Sequence, residues 1–124
     1  MEHKYFSPAH VVCPVDFSKS SMKALRYAGC AARTFGSRLT IVHSHGFELP
    51  PYFTESESGR LEEQIRALKD NQRMHLEKVV RDQIGTQWSD LDVRFEIYQR
   101  PPETAVEHLV RTAGADLIVL STHG

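Results

Sequence analysis

The sequence predicts an α/β fold with a doubly wound, Rossmann-like parallel sheet, and three observations support this class. First, strand-like and helix-like segments alternate as β-α-β-α-β-α-β, the order expected of parallel strands joined by crossover helices. Second, the strand candidates at residues 10–15 and 117–120 are apolar on both faces, as strands buried between two helical layers are. Third, residues 91–98 alternate apolar and polar side chains, which indicates a strand with one solvated face.

The first strand and helix are predicted from local signals. Residues 10–15, HVVCPV, form the strand, and the polar segment DFSKSS after it has the chemistry of a helix start. Ser18 is the predicted N-cap, since a serine hydroxyl accepts a backbone N–H of the first helical turn. The helix runs from about Ser20 to Gly36, because glycine commonly ends a helix, and residues 38–44, RLTIVHS, form the second strand.

The second half of the chain continues the alternation. Residues 45–58 contain Gly46, Pro50 and Pro51, so they are predicted to form a long loop. The remaining elements are a helix over residues 59–84, a strand over 91–98, a helix from Pro101 and Pro102 to Gly114, and a strand over 117–120.

The strand patterns also place the strands within the sheet and locate the expected site. The third strand, with one wet face, is expected at an edge of the sheet, and the first and fourth strands are expected inside it. Ligands of such sheets bind beyond the carboxyl ends of the strands. The candidate site therefore comprises residues 14–18, 44–46, 99–101 and 121–124.

Composition favours one small globular domain and excludes several classes of protein. The chain has 124 residues, 40% of them hydrophobic and 25% charged, which suits a single core. A net charge of −1 without a basic stripe argues against bulk nucleic-acid binding, and no apolar run approaches the roughly 20 residues that cross a membrane. The amino terminus lacks a signal-peptide pattern, so a cytoplasmic protein is expected, with Cys13 and Cys30 as buried free thiols.

Two of the expected strand ends carry residues suited to a ligand. Asp16 directly follows the first strand, where its carboxylate either caps the helix or accepts hydrogen bonds from a ligand's amino or hydroxyl group. Residues 121–124, STHG, have the composition of a loop whose backbone N–H groups approach a phosphate. Neither segment is decisive alone, but both lie at the same end of the predicted sheet.

Other chemistries find little support in the sequence. There is no P-loop motif and no G-x-G-x-x-G motif after the first strand. A phosphoacceptor receiver domain needs an acidic pair after the first strand and an aspartate after the third, whereas Asp16 stands alone here. His43 and His45 share a strand face, but no cysteine or carboxylate at ligand spacing supports a metal site, and no catalytic Ser-His-Asp or Cys-His set stands out.

Three segments together resemble the universal stress protein (Usp) family. HVVCPVDFSKSSMKALRYA, LTIVHS and GADLIVLSTHG are similar to Usp sequence in order and spacing, and the resemblance covers residues 10–124. It implies a five-stranded parallel sheet in the order 3-2-1-4-5, homodimers, and in many members an ATP or AMP site with the motif G-x2-G-x9-G-[ST] after the fourth strand.

The resemblance also implies which residues bind the nucleotide. They are Val15, Asp16, Ser44, Leu120, Ser121, Thr122, His123 and Gly124. Ser121 replaces the first glycine of the motif, and Arg100 replaces a glycine found in many members. The x9-G-[ST] part would lie beyond Gly124, so residues 1–124 are expected to be one Usp domain truncated at its carboxyl terminus, without the fifth strand.

The expected function is adenine-nucleotide binding in a stress response, through dimerisation. No general base is evident, so the protein is expected not to be an enzyme, or at most to hydrolyse ATP slowly, and no catalytic or metal-binding residue is assigned. One alternative is a Usp-type protein-interaction module that does not bind nucleotide. Another is an adenylate-forming or flavoprotein-like enzyme on the same architecture, for which a further catalytic domain would be needed.

Overall fold

Strands and helices alternate along the chain in the computed structural model, which describes residues 7–44, 55–84, 87–98 and 101–121. Within these residues lie four strands and three helices, in the predicted order. Their bounds are β1 His10–Pro14, α1 Lys19–Phe35, β2 Arg38–Ser44, α2 Glu55–Ile84, β3 Val93–Tyr98, α3 Pro102–Ala113 and β4 Leu117–Ile118. No helix among the described residues is both long enough and apolar enough to span a membrane.

The strands form one parallel sheet in the order β3-β2-β1-β4. The predicted α/β class and the predicted order of these four strands are therefore confirmed, including the position of β3 at an edge. The expected interior position of the fourth strand is wrong for the described residues, because β4 pairs with β1 alone and forms the opposite edge. Ile118 and Leu120 are accordingly 36% and 58% exposed.

Helix α1 begins and ends where the sequence predicts. The Ser18 hydroxyl accepts the backbone N–H of Ser21 at 3.1 Å, which confirms Ser18 as the N-cap. Gly36 follows the last turn with a φ of 64°, and Gly114 follows α3 with a φ of 69°. Both glycines adopt the left-handed conformation that other residues adopt only with strain.

Strand β1 ends at Pro14, one residue before the predicted end, and three element bounds differ from the prediction by two residues or more. Helix α2 begins at Glu55, inside the predicted loop, and residues 45–54 of that loop lie outside the described residues. Strand β3 begins at Val93 because Leu91 lies in a turn, where its N–H donates to the carbonyl of Trp88 at 3.0 Å. Strand β4 ends at Ile118 and is two residues shorter than predicted, since a strand with one neighbour has fewer ladder hydrogen bonds to define it.

Helices cover both faces of the sheet and bury two apolar clusters. Helices α1 and α2 enclose the larger one, in which Trp88 packs so closely on Gly29 that a Cβ there would lie 1.9 Å from the indole ring. Helix α3 covers the other face with Ala105 and Leu109. The doubly wound arrangement directs the amino termini of α1 and α3 towards the end of the sheet where the strands finish.

The two cysteines are both free thiols, but only one is buried. Burial of Cys13 in β1 raises the pKa of its thiol to about 12, so this residue is a packing group and not a nucleophile. Cys30 is exposed on α1, which corrects the prediction that both thiols are buried.

Candidate functional site

A cavity of about 540 Å³ opens at the carboxyl end of the sheet. It lies where β1, β2 and β4 finish and where α1 and α3 begin, the position at which open α/β sheets bind ligands. Its walls are mainly apolar, with Pro14, Val42 and Ile118 contributed by the three strands. Its volume lies within the range of roughly 300–1,000 Å³ that is usual for small-molecule sites.

Five of the residues expected to bind nucleotide line this one cavity. They are Val15, Asp16, Ser44, Leu120 and Ser121. The other three, Thr122, His123 and Gly124, lie outside the described residues, as do Arg100 and His45.

Sequence reasoning missed the helical side of the cavity. Ser21 from α1 and Pro102, Glu103 and Val106 from α3 complete the lining. The available signal was the position of α3 directly after β3. A helix that follows a parallel strand starts at the carboxyl end of the sheet, so its first residues face the same region as the strand ends.

Asp16 supports the start of α1 and also lines the cavity. Its Oδ1 accepts the backbone N–H of Ser18 at 3.0 Å and the Ser18 hydroxyl at 2.5 Å, so the carboxylate supports the N-cap of α1. The hydrogen bond from the Ser18 side chain is the main reason why the pKa of Asp16 lies below its usual value. The carboxylate also lines the cavity and remains exposed, which leaves it able to bind a ligand.

Phe17 is held in an unusual conformation next to Asp16. Its φ is 67°, and it is the only non-glycine residue with a positive φ in the described part of the chain. Its ring lies between two histidine rings, with centroid distances of 4.7 Å to His43 and 5.3 Å to His75. Strained backbone of this kind persists where surrounding contacts enforce it, and it concentrates at functional sites.

The loop between β1 and α1 is also tied to β2. The N–H of Val15 donates to the carbonyl of Val42 at 2.8 Å, and Nδ1 of His43 lies 2.9 Å from the carbonyl oxygen of Val15. The first of these bonds extends the pairing of β1 with β2 past the end of β1, and the second adds a side-chain link. The position of Val15 in the cavity lining is therefore fixed by β2.

Ser44 supplies a buried polar group to the cavity lining. Its hydroxyl oxygen is buried in the cavity lining and has no hydrogen-bond partner among the described residues. A buried hydroxyl without a partner costs roughly 1–3 kcal/mol, so such groups are rare in native proteins and each calls for an explanation, such as a role in function or a bound water or ion. The hydroxyl is positioned to bind a polar group of a ligand.

A row of serine hydroxyls connects the two sides of the cavity mouth. The Ser18 and Ser20 hydroxyl oxygens lie 3.3 Å apart, and the Ser20 hydroxyl donates to that of Ser121 at 3.5 Å. The first turn of α1 is thus bonded to the residues that follow β4. No group of three or more metal-binding side chains occurs among the residues that the structure describes.

Sequence and structure comparisons agree with this architecture. The family model described as the universal stress protein family matches residues 9–124, nearly the whole chain. The chain belongs to the universal stress protein family. No curated protein matches this chain.

Solved structures of Usp proteins share the fold. Universal stress protein UspA from Lactobacillus plantarum is 23% identical with a TM-score of 0.61, over 90% of this chain and 75% of that one. A universal stress protein in complex with cAMP is 20% identical with a TM-score of 0.65, over 92% and 76% of the two chains. The universal stress protein from Archaeoglobus fulgidus in complex with dAMP is 19% identical with a TM-score of 0.50, over 90% and 78%. At these identities the likeness establishes the fold alone.

Proposed function

We propose that this Usp protein binds an adenine nucleotide, ATP or AMP, in the cavity at the carboxyl end of its sheet. The observation that carries the proposal is the buried Ser44 hydroxyl, which has no hydrogen-bond partner in the described part of the chain and lines a mainly apolar cavity. Further support comes from the two Usp structures in complex with cAMP and dAMP. An apolar cavity with a few fixed polar groups suits a flat heterocycle with a polar edge.

Each residue has a role in this proposal. Val15 and Leu120 provide apolar surface for the base, and the Ser44 hydroxyl bonds its polar edge. Asp16 accepts a hydrogen bond from a ligand amino or hydroxyl group. Ser121 lines the cavity and is assigned to the sugar and phosphate portions, and the family resemblance assigns Thr122, His123 and Gly124 to the same portions.

The proposed biological role is a stress response in the cytoplasm, carried out by a homodimer without committed turnover of the nucleotide. Family membership supports the stress role. The edge position of β4 supports association with a second copy, because β4 pairs with β1 alone among the described residues and unpaired strand edges readily pair with another chain. Analytical ultracentrifugation tests this part, and a monomer at all concentrations would contradict it.

Native mass spectrometry of the protein purified without added nucleotide tests the binding proposal first. An adenine nucleotide that co-purifies with the protein supports it. Calorimetric titration with ATP, AMP and adenosine then measures affinity. Asp16→Ala should weaken binding about ten-fold or more, since a hydrogen bond to a charged group contributes roughly 1.5–3 kcal/mol.

The matched control is Asp82→Ala, which removes an exposed carboxylate of α2 remote from the cavity lining. This variant should bind as the unmodified protein does. If no adenine ligand binds the unmodified protein, the proposal fails, and the alternative of a Usp-type interaction module gains support. Equal affinities for Asp16→Ala and the unmodified protein would remove Asp16 from the site.

A further inference from the structure

The loop that joins β1 to α1 is fixed at both ends. At its start, the N–H of Val15 donates to the carbonyl of Val42 in β2 at 2.8 Å. At its end, Ser18 caps α1. Asp16 and Phe17 lie between these two fixed points, so the position of the Asp16 carboxylate depends on the backbone conformation of Phe17.

The hydrogen bond of Asp16 also depends on Phe17. The Oδ1 atom of Asp16 accepts the N–H of Ser18 at 3.0 Å, so this bond spans Phe17. A change of Phe17 from its φ of 67° to the usual negative φ displaces that N–H, because rotation about this backbone bond moves the chain that follows relative to Asp16. The carboxylate then loses the bond that orients it at the cavity.

Contacts of the Phe17 ring support the unfavourable φ. A bulky side chain adopts a positive φ only where its surroundings enforce it. The ring contacts His43 at a centroid distance of 4.7 Å and an interplanar angle of 58°, and His75 at 5.3 Å and 44°. Both distances lie in the range of roughly 4.5–7 Å that is usual for aromatic pairs. The two histidines therefore act against the intrinsic preference of phenylalanine.

His75 contacts this loop from outside the cavity. It lies on an exposed part of α2 and is not a lining residue. The next residue, Leu76, is fully buried and anchors this turn of α2 in the larger apolar cluster. A firmly packed helix therefore presents the imidazole of His75 to Phe17.

We propose that His75 is a positioning residue for nucleotide binding, whose contact with Phe17 keeps the loop in the conformation that presents Asp16 to the ligand. This inference rests on the proposed function, since it concerns the same site. Loss of the contact allows the loop to populate a relaxed conformation. The apparent affinity then falls with the fraction of molecules that remain competent to bind.

Calorimetric titration with AMP, well below the unfolding temperature of every variant, tests the role of His75. His75→Ala should weaken binding about three- to ten-fold, which corresponds to the loss of one aromatic contact. His75→Phe keeps a ring against Phe17, so it should keep the affinity of the unmodified protein. His108→Ala is the matched control: it removes a histidine ring that contacts Tyr98 at 5.8 Å outside the cavity lining, and it should not change the affinity.

A double-mutant cycle tests whether His75 acts through Phe17. Phe17→Gly removes the ring that His75 contacts and also the strain, because glycine adopts a φ of 67° freely. Addition of His75→Ala to Phe17→Gly should therefore leave the AMP affinity unchanged. The proposal is overturned by an equal loss of affinity in both backgrounds, by no loss in His75→Ala alone, or by a His75→Phe variant that binds as weakly as His75→Ala.

NMR relaxation dispersion on the unliganded protein separates this inference from the proposed function, because it detects exchange between loop conformations on the microsecond-to-millisecond timescale. The amide signals of Asp16 and Ser18 should show such exchange in His75→Ala, but not in the unmodified protein or in His108→Ala. If AMP, ATP and adenosine all fail to bind the unmodified protein, the proposed function is refuted. Exchange at Asp16 and Ser18 would then still support the role of His75 in holding the loop, and its absence would overturn that role.

Discussion

The two ends of the sheet use their polar side chains in opposite ways. At the amino end, the buried ring of His10 makes hydrogen bonds through both nitrogens, at 2.7 Å to the Thr40 hydroxyl and 3.0 Å to the Ala113 carbonyl oxygen. The Asp116 carboxylate accepts the N–H groups of Ala9 and His10, each at 2.9 Å, and so joins the start of β4 to the start of β1. Each of these groups has its partner within the protein.

At the carboxyl end, polar groups remain for a ligand. The Ser44 hydroxyl is buried without a partner among the described residues, and Asp16 uses one oxygen to brace a loop while it lines a cavity. The two ends also differ in which residues adopt the left-handed backbone conformation. Gly36 and Gly114 adopt it at the carboxyl ends of α1 and α3, which lie at the amino end of the sheet, whereas Phe17 adopts it beside the cavity. The polar groups of His10, Thr40 and Asp116 thus hold the fold together at the amino end, whereas the strained Phe17 and the unsatisfied Ser44 hydroxyl lie beside the cavity.

The largest effect is expected at the amino end. His10→Ala removes a buried ring and leaves the Thr40 hydroxyl and the Ala113 carbonyl without that partner, so the free energy of unfolding should fall by about 3 kcal/mol. Urea denaturation measures the change. Ligand affinity of the folded variant should be unchanged, because His10 lies at the opposite end of the sheet from the cavity.

Thr40→Val tests the same hydrogen-bond network with a smaller change, since it removes one partner of His10 and keeps the side-chain volume nearly constant. It should lower the free energy of unfolding by about 1–2 kcal/mol, the usual effect of leaving a buried polar group unpaired. Unaltered stability in both variants would show that the amino-end network does not stabilise the fold.

Two serines of the cavity wall, Ser21 and Ser44, should differ in how their replacement by alanine changes the free energy of unfolding. Ser21→Ala removes a buried hydroxyl that donates to the Ser18 carbonyl at 3.1 Å, so the free energy of unfolding should fall by about 1 kcal/mol. Ser44→Ala removes a buried hydroxyl that has no partner within the described ranges, so the unfolding free energy of the unliganded protein should stay constant or rise by up to about 1 kcal/mol.

Ser44→Ala should lower the affinity for adenosine about ten-fold, although it should not lower the free energy of unfolding. The affinity falls because a hydrogen bond to the ligand contributes roughly 1 kcal/mol or more. Urea denaturation and calorimetry on the same samples give both numbers. A loss of stability in Ser44→Ala equal to that in Ser21→Ala would show that the Ser44 hydroxyl has a structural partner after all.

The sequence predicted the fold well where a signal is local. The Ser18 hydroxyl and the glycines at positions 36 and 114 define helix ends by their own conformational preferences, and β2 was predicted with its observed bounds. Bounds set by distant partners were less predictable. The end of β4 depends on which strands lie beside it, and a run of apolar residues carries no information on that.

The residues of the candidate site likewise include some that the sequence predicted and some that it did not. Val15, Asp16, Ser44, Leu120 and Ser121 could be placed together because they follow strands whose carboxyl ends meet. Glu103 was missed although α3 directly follows β3, because that position shows only that the first turn of α3 lies near the strand ends and does not single out a residue. The conformation of Phe17 was equally hidden, since a positive φ at phenylalanine contradicts the preference of the residue and arises from its surroundings.

A smaller effect should reveal the strain at Phe17. Both Phe17→Gly and Phe17→Ala remove the ring that contacts His43 and His75, but only glycine adopts a φ of 67° without strain. The glycine variant should therefore be more stable than the alanine variant by about 1 kcal/mol. Thermal unfolding of the two proteins measures this difference, and a more stable alanine variant would show that the position is unstrained.

The smallest effect is expected from acid titration of Asp116. Hydrogen bonds from the N–H groups of Ala9 and His10 hold the pKa of Asp116 below its ordinary value of 3.8. Because the folded pKa is lower than the unfolded one, the stabilisation is present above about pH 4 and is lost as the pH falls through the folded pKa. Asp116→Asn should therefore lose less unfolding free energy between about pH 5 and pH 2 than the unmodified protein, and identical acid profiles would contradict this.

NMR titration with adenosine tests the contrast between the two ends most directly. Backbone amide signals of Val15, Asp16, Ser44, Glu103 and Ser121, all in the cavity lining, should shift in a saturable manner. Signals of His10, Thr40 and Asp116 at the amino end should stay where they are. Saturable shifts centred on the amino end, or no saturable shift at the carboxyl end, would contradict the assignment of the ligand site.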